Sequence, residues 1–324
     1  MPRVHLSAAG PGFDVPVPRG GYVWWYLDAV SDDGAHGLCI IAFIGSVFSP
    51  YYARSRRHGD ADPRNYCAFN VALNGAVGRW SMTERGRAQL CAERDTLRIG
   101  PSSVHWDGSA FEFQIAETGC PLPRPLRGRV RVHPSCIPAR QFALDAQGNH
   151  FWSPLAPRAR IEVRFQQPSL QWQGEAYLDS NAGSRPLEQD FRGWTWSRAS
   201  LPEATAVFYE VEHRHDAART LSLQFDTAGA VRPLALPQAC SLPSSLWGIA
   251  RYTRSEQPGG ARVVRTLVDA PFYARSLLAT RIGGQAVNAV HESLNLDRFR
   301  SRWVRTLLPF RMPRWPRPSR TGAR

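Results

Sequence analysis

Apolar and polar residues alternate with a period of two along most of the chain. Phe111-Glu112-Phe113-Gln114-Ile115 and Ile161-Glu162-Val163-Arg164-Phe165 show it plainly, and Leu170-Gln171-Trp172-Gln173, Val207-Phe208-Tyr209-Glu210-Val211-Glu212 and Leu221-Ser222-Leu223-Gln224-Phe225 repeat it. In an extended chain successive side chains point to opposite faces, so each string predicts a strand with one buried and one wet face. Turn formers separate the strings: Asp32-Asp33-Gly34, Asn74-Gly75, Asp107-Gly108, Gln147-Gly148-Asn149, Thr227-Ala228-Gly229 and Gly259-Gly260. Many short strands between such turns predict antiparallel barrels or sandwiches. Helical patterning is scarce, and stretches 85–94 and 286–295 carry it best. There is no alternation of strands with helices and no G-x-G-x-x-G, which argues against a dinucleotide-binding domain.

Pro154, Pro157 and Pro168 punctuate the pattern near mid-chain and place an expected boundary within 155–168. The expectation is a mainly β chain of two barrel or sandwich domains, 1–160 and 161–297, with few short helices and a distinct tail, 298–324. A length of 324 residues is ample for two such cores.

Composition narrows the chemistry. All 40 basic residues are arginine against 27 acidic ones, a formal charge of +13. Without lysine there is no Schiff base, no lysine nucleophile and no P-loop lysine. G-x-S-x-G is absent as well, so a serine-hydrolase triad has no anchor. The six cysteines include no C-x-x-C pair and read as free thiols of a reducing cytoplasm, with no spacing that supports a metal. No apolar run reaches the roughly 20 residues needed to span a bilayer, and the first twenty residues do not read as a signal peptide.

The tail has nine arginines and no acidic residue from Arg298 to Arg324, interleaved with Phe299, Trp303, Leu307, Leu308, Phe310 and Trp315. Pro309, Pro313, Pro316 and Pro318 argue against a long helix there. Arginine mixed with tryptophan suits the headgroup region of an anionic membrane. A plain disordered tail and a nucleic-acid arm are the rival readings, and against the second the body contains no recognition module.

Two aromatic clusters hold the candidate chemistry. One runs through Tyr22-Val23-Trp24-Trp25-Tyr26-Leu27-Asp28 to Tyr51-Tyr52; the other joins His150, Trp152, Trp172, Tyr177, Asp179, Trp194 and Trp196. In extended segments His150 and Trp152 share a face, as do Tyr177 and Asp179. If both faces line one cavity, an imidazole, a carboxyl group and two aromatic rings meet there. A carboxyl group in an apolar wall is held protonated toward neutrality. Asp179 equally suits a turn cap ahead of Ser180-Asn181-Ala182-Gly183.

The strings Gly20-Gly21-Tyr22-Val23-Trp24-Trp25-Tyr26-Leu27-Asp28-Ala29-Val30 and Ile41-Ala42-Phe43-Ile44-Gly45-Ser46-Val47-Phe48 resemble the bacterial carotenoid 1,2-hydratase family, also called hydroxyneurosporene synthase. So do Tyr177-Leu178-Asp179-Ser180-Asn181, Pro186-Leu187-Glu188 and Phe191-Arg192-Gly193-Trp194-Thr195-Trp196-Ser197-Arg198, and the likeness extends from about Gly20 to Asn295. The resemblance implies a lipocalin-like two-domain β architecture. It also implies addition of water to the C1=C2 bond of an acyclic carotenoid, such as neurosporene or lycopene, with no organic cofactor and no metal. The family's acid, base and aromatic positions fall on His150, Trp152, Tyr177 and Asp179. On that reading Asp179 is the general acid, Trp152 and Tyr177 stabilise the cation, and His150 holds the attacking water or takes its proton. A bilayer-dissolved substrate implies a cytoplasmic protein attached peripherally to the inner or photosynthetic membrane, with no nucleic-acid partner. The alternatives are a lipocalin-like carotenoid or lipid carrier and a related isoprenoid cyclase.

Overall fold

A computed structural model describes residues 6–7, 10–59 and 61–314; Trp315, Pro316 and Pro318 of the expected tail lie outside the described residues. The largest element is an antiparallel sheet of twelve strands. At its centre are the two longest strands, His150–Gln167 and Leu170–Gly183. On one side follow Tyr22–Ser31, Gly37–Ile44, Cys67–Asn74 and Arg79–Arg85. On the other follow Pro125–Pro134, Phe111–Thr118, Ser102–Trp106, Thr96–Ile99 and Leu90–Ala92, and the short strand Phe142–Ala143 pairs with His150–Gln167 off this path. The two flanks meet where Arg85 pairs with Glu117 at 2.6 Å and the Cys120 N–H donates to the Trp80 carbonyl at 2.9 Å. The sheet thus nearly closes on itself, which leaves little open edge.

Strand parity divides the apolar residues between two cores. Val23, Trp25, Leu27 and Ala29 point into the barrel with Ile40, Phe69, Phe113 and Ile161. Tyr22, Trp24 and Tyr26 point outward, where a second sheet covers them with Trp194, Trp196, Tyr209 and Leu294. Tyr22–Ser31 is therefore buried on both faces, which is why it reads as a continuous apolar run rather than an alternation. The second sheet is antiparallel, seven-stranded, with Phe191–Ser200 and Gln285–Asn295 near its middle. Its far face packs Phe208, Leu278 and Ile282 together with Leu242, which belongs to the hairpin of Gln238–Leu242 and Arg251–Ser255.

Mainly β with short helices is what the alternation predicted, and three local expectations change. Stretch 286–295 is strand, not helix: Gln285–Asn295 pairs with a neighbour on each side, and ladder bonds on both edges outweigh local helical propensity. Stretch 85–94 is likewise a short 3₁₀ turn, Arg87–Gln89, followed by the strand Leu90–Ala92. Finally, residue 160 lies inside a continuous strand, and the chain changes sheets at 184–190. Pro154 and Pro157 do not end that strand; they coincide with its register shifts at 154–156 and 156–159, where a missing N–H costs no ladder bond.

The start of the expected tail is folded onto the body. Leu296–Arg300 is capped by Asn295, whose Oδ1 accepts from the Arg298 N–H at 2.9 Å. Arg302–Arg311 follows with Pro309 inside it, and Phe299, Val304, Leu308 and Met312 are buried in the core between the sheets. Among the described residues no helix is long and apolar enough to cross a membrane.

Candidate active site

Asp179 lies mid-strand in Leu170–Gly183, which runs unbroken through Ser180–Gly183, so it caps no turn. Parity turns it, with Tyr177 and Asn181, toward the second sheet. Asp179 is 4% exposed. Its Oδ2 accepts from the Trp152 indole N–H at 2.8 Å and from the Tyr177 hydroxyl at 2.8 Å, while Oδ1 is buried without a partner. Among the described residues no cation pairs with it. Burial pushes its pKa up to about 7; the Trp152 and Tyr177 donors oppose the rise, and the carboxylates of Glu292 and Asp28 add to it. Tyr177 is itself fully buried, and burial beside Asp179 holds its phenol well above the usual value. The pair is an acid and a neutral donor, which is the arrangement proton transfer to carbon requires.

Aromatic rings enclose this carboxyl group. Trp196 lies 5.1 Å from the Tyr177 ring and 5.7 Å from Tyr26, and Tyr209 meets Trp152 edge to face at 5.7 Å. Asn181 donates to the Tyr209 hydroxyl at 3.2 Å and fixes that ring. All of these sit in the layer between the sheets, away from water.

Three of the four expected residues thus converge: Asp179, Tyr177 and Trp152. The structure places the fourth elsewhere. His150 is fully buried at the end of its strand, with Nδ1 2.8 Å from the Tyr22 hydroxyl and Nε2 2.8 Å from Asp190 Oδ2. Both ring nitrogens are engaged, and neither contacts Asp179.

A buried charge network borders the cluster. Asp28 Oδ2 accepts from Arg198 and Oδ1 from Arg275, each at 2.5 Å, and Arg275 lies 3.5 Å from Glu292. The Tyr26 hydroxyl donates to Glu292 Oε1 at 2.6 Å. Tyr26, Glu292 and Arg275 form the inner wall of an apolar cavity of about 200 Å³, with Trp24, Phe43 and Trp194 around it. Its outer rim is the C-terminal helix, through Val304, Leu307, Leu308 and Arg311. Tyr177 and Asp179 do not line the cavity; Tyr26 stands next to them, its ring centre 6.5 Å from that of Tyr177. No group of three or more His, Cys, Asp or Glu able to hold a metal occurs among the described residues.

The sequence model of the family described as Carotenoid hydratase CrtC matches residues 40–321. The chain belongs to the carotenoid hydratase family. An acyclic carotenoid 1,2-hydratase of Thiocapsa roseopersicina is 52% identical over 309 residues, spanning 95% of this chain and 76% of the relative. One from Rubrivivax gelatinosus is 48% identical over 308 residues, spanning 94% of this chain and 76% of that protein. Membership makes the chain an enzyme of the hydratase class. In fold it is similar to the solved structure of a putative AttH from Nitrosomonas europaea, with a TM-score of 0.57 at 14% identity over 86% of this chain and 92% of that one. The lipocalin-like β architecture expected from the resemblance is the one observed.

In this carotenoid hydratase family member, sequence reasoning missed Glu292, Arg198, Arg275 and Tyr209, while Tyr26 belonged to the first aromatic cluster. Glu292 fell in the stretch read as helix, although Val290-His291-Glu292-Ser293-Leu294 alternates and places Glu292 on the apolar face. A charged residue on the buried parity of a strand was the available signal, and Arg198 and Arg275 carry it too.

Proposed function

We propose that the protein adds water across the C1=C2 bond of an acyclic carotenoid such as neurosporene or lycopene, with Asp179 as general acid. The observation that carries the reading is the buried carboxyl group itself, which has no cationic partner among the described residues and which burial pushes up to about 7. Asp179 gives its proton to C2, the π bond breaks, and a tertiary cation forms at C1. Water bonds to C1 and releases a proton to solvent, from which the carboxylate is reprotonated. The step balances with water alone and draws in no cofactor. Trp152 and Tyr177 donate to the carboxylate that proton transfer leaves behind, and with Trp196 they present aromatic faces to the cation, each worth roughly 0.5–2 kcal/mol when desolvated. His150, as a positioning residue, holds Tyr22, which stacks on the cavity residue Trp24 at 5.0 Å.

A cavity of about 200 Å³ is smaller than the roughly 300–1,000 Å³ of pockets that enclose a drug-sized ligand, so it takes one end of the polyene. Tyr26 separates that end from Asp179 and turns aside to admit it. The rest of the chain stays in the bilayer, and the protein docks on the cytoplasmic side of the inner or photosynthetic membrane. Support for docking comes from the rim helix, which exposes Trp303 and Phe310 beside its arginines.

Incubation of the purified protein with lycopene-loaded liposomes in H₂¹⁸O tests the reading. A labelled hydroxylated product that Asp179→Asn reduces at least about tenfold, or ~1.4 kcal/mol in barrier, is expected. Pigment that binds unchanged would indicate a carrier, and an isomer of unchanged mass a cyclase.

A further inference from the structure

Seven arginines converge on a surface pocket of about 740 Å³, apart from the carotenoid cavity. Arg56 and Arg57 end the helix Pro50–Arg57, and Arg185 and Arg192 flank the short helix Leu187–Asp190. Arg214 follows the strand Ala204–His213, while Arg300 and Arg305 belong to the two C-terminal helices. Five separate segments therefore bring positive charge to one place.

Among the described residues one carboxylate, Glu188, lines the pocket. Glu188 Oε1 meets Arg56 at 3.2 Å and Arg305 at 3.7 Å, and its Oε2 has no partner. At the margins Asp190 takes Arg185 at 3.1 Å and Asp297 takes Arg214 at 2.6 Å. Arg57, Arg192 and Arg300 form no ion pair among the described residues. The Arg56 side chain is 8% exposed, yet its Nη1 is buried without an acceptor, as are Arg214 Nη2 and Arg305 Nε. Burial pushes Arg305 below the usual guanidinium range, and the neighbouring Arg57, Arg56 and Arg300 add to this against Glu188. Guanidinium N–H groups buried without oxygen, among like charges, are costly unless an anion occupies the space.

We propose that this pocket binds a phosphoryl group. Among the described residues the excess of guanidinium over carboxylate calls for an anion of more than one charge, and Arg56, Arg214 and Arg305 each keep one N–H unsatisfied. The planar guanidinium fork matches phosphate in geometry. The lining offers only Ala53 and Pro186 as apolar surface, so recognition is of the phosphoryl head and not of what it is attached to. The source is the headgroup of a phospholipid or a soluble phosphate ester. The inference does not depend on the hydration reaction.

The test compares the full chain with Arg57→Gln/Arg192→Gln/Arg300→Gln, three exposed positions whose change leaves the core intact. Arg98→Gln/Arg140→Gln/Arg164→Gln, also exposed, lowers the net charge equally and serves as control. Two probes are used: calorimetric titration with inorganic pyrophosphate, and sedimentation with phosphatidylcholine vesicles containing phosphatidylglycerol. The pocket variant is expected to bind at least about tenfold more weakly than the control variant to one probe or both. Loss with pyrophosphate assigns a soluble phosphate ester; loss with vesicles alone assigns a lipid headgroup. Equal binding by the two variants to both probes would overturn the site. Should the triple variant fold poorly, Arg192→Gln alone is compared with Arg140→Gln by the same criterion.

Discussion

The indole N–H of Trp152 reaches Asp179 Oδ2 at 2.8 Å on the diagonal of an antiparallel ladder in which Trp152 faces Asn181 and Asp179 faces Pro154. The bond gives the carboxylate a donor within an otherwise apolar layer and lowers a pKa that burial raises. Trp152→Phe keeps an aromatic wall and removes the donor. The alkaline limb of the pH–rate profile should move upward, and turnover should fall roughly tenfold or more as the leaving carboxylate loses a charge-assisted bond. Turnover measured from pH 5 to 9 checks both, and an unmoved limb would count against the bond's role.

Wild-type activity should decline above about pH 7, where Asp179 loses its proton. Stability carries the same signature. The native state holds this proton more tightly than the unfolded chain does. The advantage is therefore fully present below about pH 4 and lost as pH rises through about 7. Glu84, also pushed up to about 7 by burial, contributes in the same direction. The difference in Tm between wild type and Asp179→Asn isolates the Asp179 part: from pH 5 to 8 the variant should gain relative to wild type.

Asp28 is the counter-ion of two buried arginines, Arg198 and Arg275. Asp28→Asn leaves both charges without it in the layer between the sheets. The loss should be about 3–5 kcal/mol of unfolding free energy, read from urea denaturation, because removal of one partner strands the other charge. A loss under about 1 kcal/mol would mean that water reaches the network.

Trp303 and Phe310 project from the rim helix, 46% and 71% exposed, and neither lines the cavity. Trp303→Ser/Phe310→Ser should weaken sedimentation with anionic vesicles while turnover of detergent-dispersed pigment stays within about twofold of wild type. Equal sedimentation would remove the rim from the docking surface. Truncation after Asp297 is a poorer test, since it also deletes Val304, Leu308 and Met312 from the core.

Much of this was legible before any coordinates. Alternation at 111–115 and 161–165 specified strands because a half-buried strand must separate apolar from polar residues by parity. The same parity put Tyr177 with Asp179 and His150 with Trp152. What parity could not show was which strands would be neighbours and what would cover their faces. The strand Tyr22–Ser31 and the C-terminal helices looked like an aromatic run and a basic tail until a second sheet and a cavity gave them surfaces to bury against. His150 shares a face with Trp152, yet at the strand's end it meets Tyr22 and Asp190, contributed by distant segments. Glu292 and the seven arginines of the anion pocket come from segments far apart in the chain. Sequence determined the period and hence the facing of each strand, a local property of the backbone. The partners of each face, and with them the acidity of Asp179, depend on burial by residues remote in sequence, which only the tertiary structure decides.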